Sequence, residues 1–186
     1  MKTNLNIGIR LTLVTLILFG ISFPLLITLI AKLAPGGGLG EEIAVNNEVK
    51  GFELIGQKFD VDQYFNSRPS AVDYNAAATG GSNKGPSNAE YLAQVQARID
   101  TFLVHNPAVS RAEIPVDLIT ASGGGLDPHI SPQAAYVQVD RIASVREIDK
   151  QKVRKLVDRF VENPLLGMGT ARVHVLRLNL ALDQLK

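Results

Sequence analysis

From Leu11 to Ala31 the chain reads LTLVTLILFGISFPLLITLIA, twenty-one residues without a charge. As an α-helix rising 1.5 Å per residue, this run covers about 32 Å, close to the hydrocarbon thickness of a bilayer. Pro24 would break a soluble helix, whereas a spanning helix tolerates it with a kink. A cleaved secretory signal would have a shorter apolar core and an A-x-A-like site after it, and AKLAPGGG is a poor one. The run is therefore expected to be an uncleaved anchor, and the rest of the chain a domain tethered to a membrane.

The flanks set the expected orientation. Lys2 and Arg10 precede the span, Lys32 alone follows it closely, and the first acids are Glu41 and Glu42. Positive charge on the inner side then places residues 1–10 in the cytoplasm, the span at 11–33 and the remainder outside. A linker is expected over 34–47, where APGGGLGEE reads as a flexible exit, followed by an extracytoplasmic domain over 48–186. Within the span, Gly8, Thr12, Thr15, Phe19 and Ser22 share a narrow arc at 100° per residue. Small and hydroxyl residues on one face suit close contact with another helix. The same hydroxyls can instead bond carbonyls of their own helix.

Composition excludes several functions. The 186 residues contain no cysteine, which removes disulfides, thiolate metal sites and cysteine nucleophiles. Beyond Lys32 sixteen basic residues face eighteen acidic ones, a net charge of −2, so nothing points to nucleic acid.

The domain reads as a small α/β or α+β unit with three helices and a few strands. EVKGFELIGQKF, residues 48–59, alternates briefly like a strand. The stretch from Phe65 to Asn88 is rich in Ser, Asn, Gly and Pro and is expected to be a long irregular surface segment. Ser87 and Glu90 match a capping box for a helix carrying Leu92, Val95, Ile99, Phe102 and Leu103 and stopping at Asn106-Pro107. Ser131-Pro132 opens a second helix with Ala135, Val139, Ile142 and Ala143 buried. Asp149 caps a third with Val153, Leu156, Val157, Phe160 and Val161 inward and a solvated basic face. Arg172 to Leu180 alternates and predicts a strand, with His174 packed in it.

The stretch SGGGLDPHISP, Ser122 to Pro132, is the natural place to look for chemistry. No Walker motif is present, because GGGLDPH lacks lysine and GGSNKGPSN has the wrong spacing. Asp127 and His129 offer two metal ligands, but there is no H-x-x-x-H pair. A hydrolase using Asp127, His129 and Ser131 or Ser122 lacks the G-x-S-x-G elbow. The preferred reading is a rigid turn: glycines for close backbone approach, Asp127-Pro128 for the turn, Ser131 for the next helix cap. No catalytic or metal residue is expected.

The pieces FNSRPSAVDYN, TGGSNKGPSN, PVDLITASGGGLDPHISPQAA and VLRLNLALD, in this order behind one span, resemble the C subunit of the Kdp-type potassium-transporting P-type ATPase of bacteria. That resemblance implies a non-catalytic subunit in the bacterial cell membrane. Its partners would be a channel-like subunit that conducts potassium, a P-type ATPase subunit and a very small single-span subunit. It would stabilise their assembly and raise the ATP affinity of the ATPase subunit. An ATP-binding role is part of the family description, yet no phosphate-binding motif is present and a domain facing outside does not meet cytoplasmic ATP. ATP is expected to act through the complex, with no cofactor bound directly. Arg68, Pro69, Tyr74, Asn75, Asn83, Gly85, Asn88, Asp127, Pro128, His129 and Ser131 are the expected interface and structural loop residues. Gly8, Thr12, Thr15 and Ser22 are the expected membrane-helix contacts. The alternative is an anchored extracytoplasmic enzyme built on Asp127, His129 and Ser131.

Overall fold

The structure, a computed structural model, describes residues 2–164 and 167–185. The chain divides into two compact units, Met1–Glu53 and Leu54–Lys186.

The first unit starts with α1 (Lys2–Ile17), passes through a π-helical turn at Leu18–Ser22, and continues as α2 (Phe23–Ala31). Asn4–Ala31 is a single helical run of 28 residues, long and apolar enough to cross a membrane. Pro24 explains the widened turn. It has no N–H for the carbonyl one turn back, and its ring crowds that carbonyl. The helix relaxes by pairing the Phe23 N–H with the Leu18 carbonyl, five residues back. A hairpin follows, with β1 (Glu42–Val45) antiparallel to β2 (Glu48–Phe52). Its two-residue turn, Asn46-Asn47, has φ of 53° and 63°. Asparagine tolerates this left-handed pair, the geometry of a tight hairpin turn. The expected extended segment from 48 is thus a strand only to Phe52. Its partner lies in the stretch read as linker.

In the second unit the chain first runs from Leu54 to Asn88 without a regular helix, then forms α3 (Ala89–His105). The cap of α3 is Asn88, whose Oδ1 accepts the Tyr91 N–H at 2.9 Å, not Ser87. Glu90 turns instead to Lys84, 2.8 Å away. The inner face of α3 includes Val95, Ile99, Phe102 and Leu103, while Leu92 is exposed. Asn106 ends the helix as expected, its Nδ2 bonding back to the Phe102 carbonyl.

Ser131 caps α4 (Pro132–Tyr136), accepting the Ala134 N–H at 3.1 Å. The buried stripe Ala135, Val139, Ile142 and Ala143 is spread over two helices, because the chain breaks at Val137-Gln138 before α5 (Val139–Arg146). Asp149 caps α6 (Lys150–Phe160), whose Val153, Leu156 and Val157 are buried and whose lysines and arginines face solvent. A three-stranded antiparallel sheet holds these helices together. β5 (Arg172–His174) lies between β3 (His129–Ile130) and β4 (Val161–Glu162).

The expected strand from Arg172 to Leu180 is mostly wrong: after His174 the chain becomes α7 (Val175–Asp183). Leu, Ala and Arg are strong helix formers, and the His174 ring caps the new helix by accepting the Arg177 N–H on Nδ1 at 3.4 Å. Val175, Leu176, Leu178, Asn179 and Leu182 are buried, the three-to-four spacing of a helix face. An alternating strand would have exposed Asn179. The core joins Phe65, Ile130, Ile142, Val153, Val157, Val173, Leu178 and Leu182 into one cluster. The fold is one apolar N-terminal helix followed by a mixed α+β domain.

Candidate functional site: two interlocked loops

The glycine loop 122–125 lies against the irregular segment 69–81. The Gly80 N–H bonds the Gly124 carbonyl at 3.1 Å, and the Ser122 N–H bonds the Pro69 carbonyl at 3.3 Å. At two positions the close approach leaves no space for a side chain. A Cβ on Gly81 would sit 2.8 Å from the Gly123 carbonyl oxygen. One on Gly125, where φ is +71°, would meet Val72 at 2.6 Å and the Gly80 carbonyl oxygen at 2.9 Å. Gly81 and Gly125 are thus the glycines that this seam requires, whereas Gly123 and Gly124 have open space around them.

Arg68 and Asp127 cross this seam, with Nη1 donating to Oδ2 at 3.0 Å. The other Asp127 oxygen accepts the His129 N–H at 3.0 Å and lies 3.4 Å from His129 Nδ1. Burial pushes the Asp127 carboxyl up, but His129, through its side chain and its backbone, and Arg68 together outweigh that and hold it at about 2. A carboxyl held there stays ionised at neutral pH and is a poor proton shuttle. The next residues extend the seam into the sheet. The Pro128 carbonyl accepts the Val175 N–H at 3.0 Å, and the His129 and His174 rings meet edge to face at 5.2 Å. The Ser131 hydroxyl donates to Asp117 Oδ1 at 3.1 Å while accepting from Ala134, and the Ser131 N–H donates to Asp117 Oδ2 at 2.7 Å. Asp127, His129, Ser131, Arg68 and Arg172 line an open cleft of about 500 Å³.

On the other side of the seam, Tyr74 turns back to donate its hydroxyl to the Arg68 carbonyl. Burial pushes that phenol up to about 12, so it remains a donor. Asp73 and Tyr74 have φ of 49° and 58°, strained for non-glycine residues. Ser70 Oγ holds the turn by accepting the Val72 and Tyr74 N–H groups at 3.2 and 2.9 Å. Asn75 Oδ1 accepts the Ala77 N–H at 3.0 Å. Asn83, with φ of 52°, and Gly85 lie on the exposed stretch before the Asn88 cap. The structure thus brings Arg68, Pro69, Tyr74, Asp127, Pro128 and His129 into one assembly. Asn83 reaches its edge, with Oδ1 3.7 Å from where a Cβ on Gly81 would sit, and Gly85 and Asn88 lie further along the exposed stretch.

In the apolar helix, Thr12 Oγ1 donates to the Gly8 carbonyl at 2.9 Å, and Thr15 Oγ1 to the Leu11 and Thr12 carbonyls at 3.0 Å each. The hydroxyls are satisfied inside their own helix. Gly8 has open space around it.

Sequence reasoning missed the most connected polar residue. Arg141 is 6% exposed, yet its guanidinium donates to Asn106 Oδ1, the Asp62 and Tyr64 carbonyls, Asn66 Oδ1 and Gln138 Oε1, at 2.6 to 3.1 Å. Burial pulls its pKa down, and Asp62 opposes the shift. The available signal was position: Gln138, Arg141 and Ile142 share one helix face, with Ile142 in the buried stripe.

Together, the structure joins one N-terminal helix long and apolar enough to cross a membrane to a mixed α+β domain in which Arg68, Asp127 and Ser131 hold the loops. Among the described residues no cluster of His, Cys, Asp and Glu is placed to hold a metal. The family model described as "KdpC: K+-transporting ATPase, c chain" matches residues 5–184, and the chain belongs to that family. It is 57% identical over 183 residues to the potassium-transporting ATPase KdpC subunit of Flavobacterium johnsoniae, covering 98% of this chain and 99% of that protein. The same-named subunit of Bacteroides fragilis strain YCH46 is 48% identical over 190 residues, covering 100% and 99%. That of Caldanaerobacter subterraneus subsp. tengcongensis is 48% identical over 176 residues, covering 94% and 91%.

Proposed function

We propose that this chain is a non-catalytic accessory subunit of an ATP-driven potassium uptake complex. It is anchored by its N-terminal helix with the domain outside the membrane. It stabilises the assembly of a channel-like subunit, a P-type ATPase subunit and a small single-span subunit. The observation that carries this reading is the use of Asp127 and Ser131. Both carboxylate oxygens and the hydroxyl are engaged in turn, ion-pair and cap contacts, so neither residue is set up as base or nucleophile. Any rise in ATP affinity of the ATPase subunit then acts through conformation: a domain that binds better to the ATP-ready state favours that state.

The test is protease treatment of intact cells expressing the chain with a C-terminal tag. Cleavage of the tag without lysis, and recovery of the larger subunits with the uncleaved protein, are expected. A tag protected until lysis would place the domain inside and favour direct contact with ATP. Turnover or metal retention by the purified full chain alone would favour the anchored enzyme.

A further inference from the structure

The chain does not run straight out of the apolar helix. Past Ala31 it keeps winding: the Leu33 N–H bonds the Ile30 carbonyl at 2.9 Å, and the Ala34 N–H the Ala31 carbonyl at 3.1 Å. The turn Pro35–Gly38 then brings Gly38 back onto Ala31. A Cβ on Gly38, where φ is +85°, would sit 3.0 Å from the Ala31 Cβ and 3.2 Å from the Ala31 carbonyl oxygen. Glycine is required there, and the next residue, Leu39, is held beside the helix end. Leu33 and Leu39 bracket this turn. They are 88% and 90% exposed, the highest values of any large apolar residue among those described. Every residue of the turn belongs to the first compact unit.

We propose that Leu33 and Leu39 form a lipid-contacting foot, which the contact of Gly38 with Ala31 holds in the headgroup–acyl boundary of the leaflet where the helix ends. The inference rests on the anchor reading and goes beyond the assembly role. Continuity with the apolar helix favours lipid as the occupant. Leu33 follows the last residue of that helix by two positions, and the fold-back keeps Leu39 close to the same residue. A fully extended exit would instead carry Leu39 up to about 26 Å from Ala31, clear of the boundary. Apolar surface left in water is unfavourable, and the boundary of the same bilayer removes it. From Leu33 to Gly40 no charge opposes that burial, and Lys32 adds a cation suited to headgroup phosphates. A foot of this kind limits how far the helix slides through the bilayer.

The chain has no tryptophan, so Leu39→Trp supplies a single reporter. The full chain is placed in phosphatidylcholine nanodiscs doped with lipid that carries a nitroxide either high on the acyl chain or at its end. The expected result is a blue-shifted emission, quenched about twofold more by the shallow label than by the deep one. Adding Gly38→Val, which clashes with Ala31, should release residue 39 and cut that quenching severalfold. Both chains carry the same reporter, so the preference of tryptophan for interfaces cancels in the comparison. Gly37→Asn is the control. Its φ of +63° suits asparagine and nothing lies within 4 Å of the added Cβ, so quenching should be kept. Leu33→Trp, on the helix side of the turn, should stay quenched with or without Gly38→Val. An unquenched Leu39→Trp in discs that hold the chain would overturn the foot. So would a blue shift that appears only in the assembled complex, because a protein would then cover the leucine. Equal quenching with Gly38→Val would overturn the fold-back as what holds it. Failure of the chain to elute with the discs would overturn the anchor reading, and this inference with it.

Discussion

Asn179 closes both backbone hydrogen-bonding groups of Phe65: its Oδ1 accepts the Phe65 N–H at 2.8 Å, and its Nδ2 donates to the Phe65 carbonyl at 3.0 Å. A side chain on α7 thus acts as a strand would, and seats a fully buried phenylalanine at the start of the irregular segment. Asn179→Ala would leave two buried polar groups without partners, at a cost of about 2–4 kcal/mol. Asn179→Asp would keep the acceptor and lose the donor while burying a charge. Both variants are expected to lower the melting temperature of the full chain, and Asn179→Asp should regain part of its loss at acid pH. An unchanged melting curve for Asn179→Ala would mean that Phe65 is held by packing alone.

Arg141 ties Asp62, Tyr64 and Asn66 to α5 and to the end of α3. Lysine has no planar fork and cannot serve five acceptors, so Arg141→Lys is not conservative here. Arg141→Met removes the charge but leaves the acceptors buried. Both should destabilise by about 3–5 kcal/mol, seen as a lower denaturation midpoint. Hydrogen exchange should rise first over residues 62–66. Uniform exchange along the domain would show that the arginine supports the global fold without specifically fixing that segment.

Much of this architecture was legible in the chain. The charge-free run gave the helix, Ser131-Pro132 and Asp149 gave two caps, and the valines of α6 gave its inner face, because each signal is local. What failed was long-range. Leucines at 176, 178 and 180 fit a period of two, and only packing of Asn179 on Phe65, 114 positions away, shows that the segment is helical. The same holds at the loops. Their glycines announce close approach, but not that residues 79–81 and 123–125 approach one another. Arg141 looks like any helix-surface cation until its five acceptors are brought to it.

The Asp127 carboxyl titrates at about 2, below its reference value of 3.8. A depressed native pKa stabilises the fold above the unfolded value and is lost as pH falls through the native one. The contribution, about 1–2 kcal/mol after allowing for solvent screening, should therefore be full above pH of about 5, mostly lost by pH of about 2 and gone below that. Asp127→Asn should lower stability at neutral pH and flatten its dependence on pH in that window. Complex that still assembles should hydrolyse ATP at a near-normal rate, and His129→Gln, which retains a donor, should behave alike. Full stability and assembly with potassium-stimulated ATPase lost would instead make the loop a direct functional site.

The last prediction concerns the apolar helix, whose residues from Asn4 to Ile30 are exposed along their whole length. Because Thr12 and Thr15 already spend their hydroxyls on carbonyls of their own helix, they offer a partner chiefly their small size. Thr12→Leu with Thr15→Leu removes those internal bonds while raising helix propensity, so insertion should be preserved. The π-helical turn at Leu18–Ser22 breaks the regular period and rotates Ser22 off the face of Gly8, Thr12 and Thr15. If that face is where neighbouring helices approach, the added bulk should separate them and lower the yield of complex in detergent severalfold. Gly20→Leu serves as the control, since Gly20 also has open space around it but lies off that face. Equal yields for the double variant and the unchanged chain would move the contact to another face. Equal loss from Gly20→Leu would trace the effect to the π-helical turn that accommodates Pro24, and not to one face of the helix.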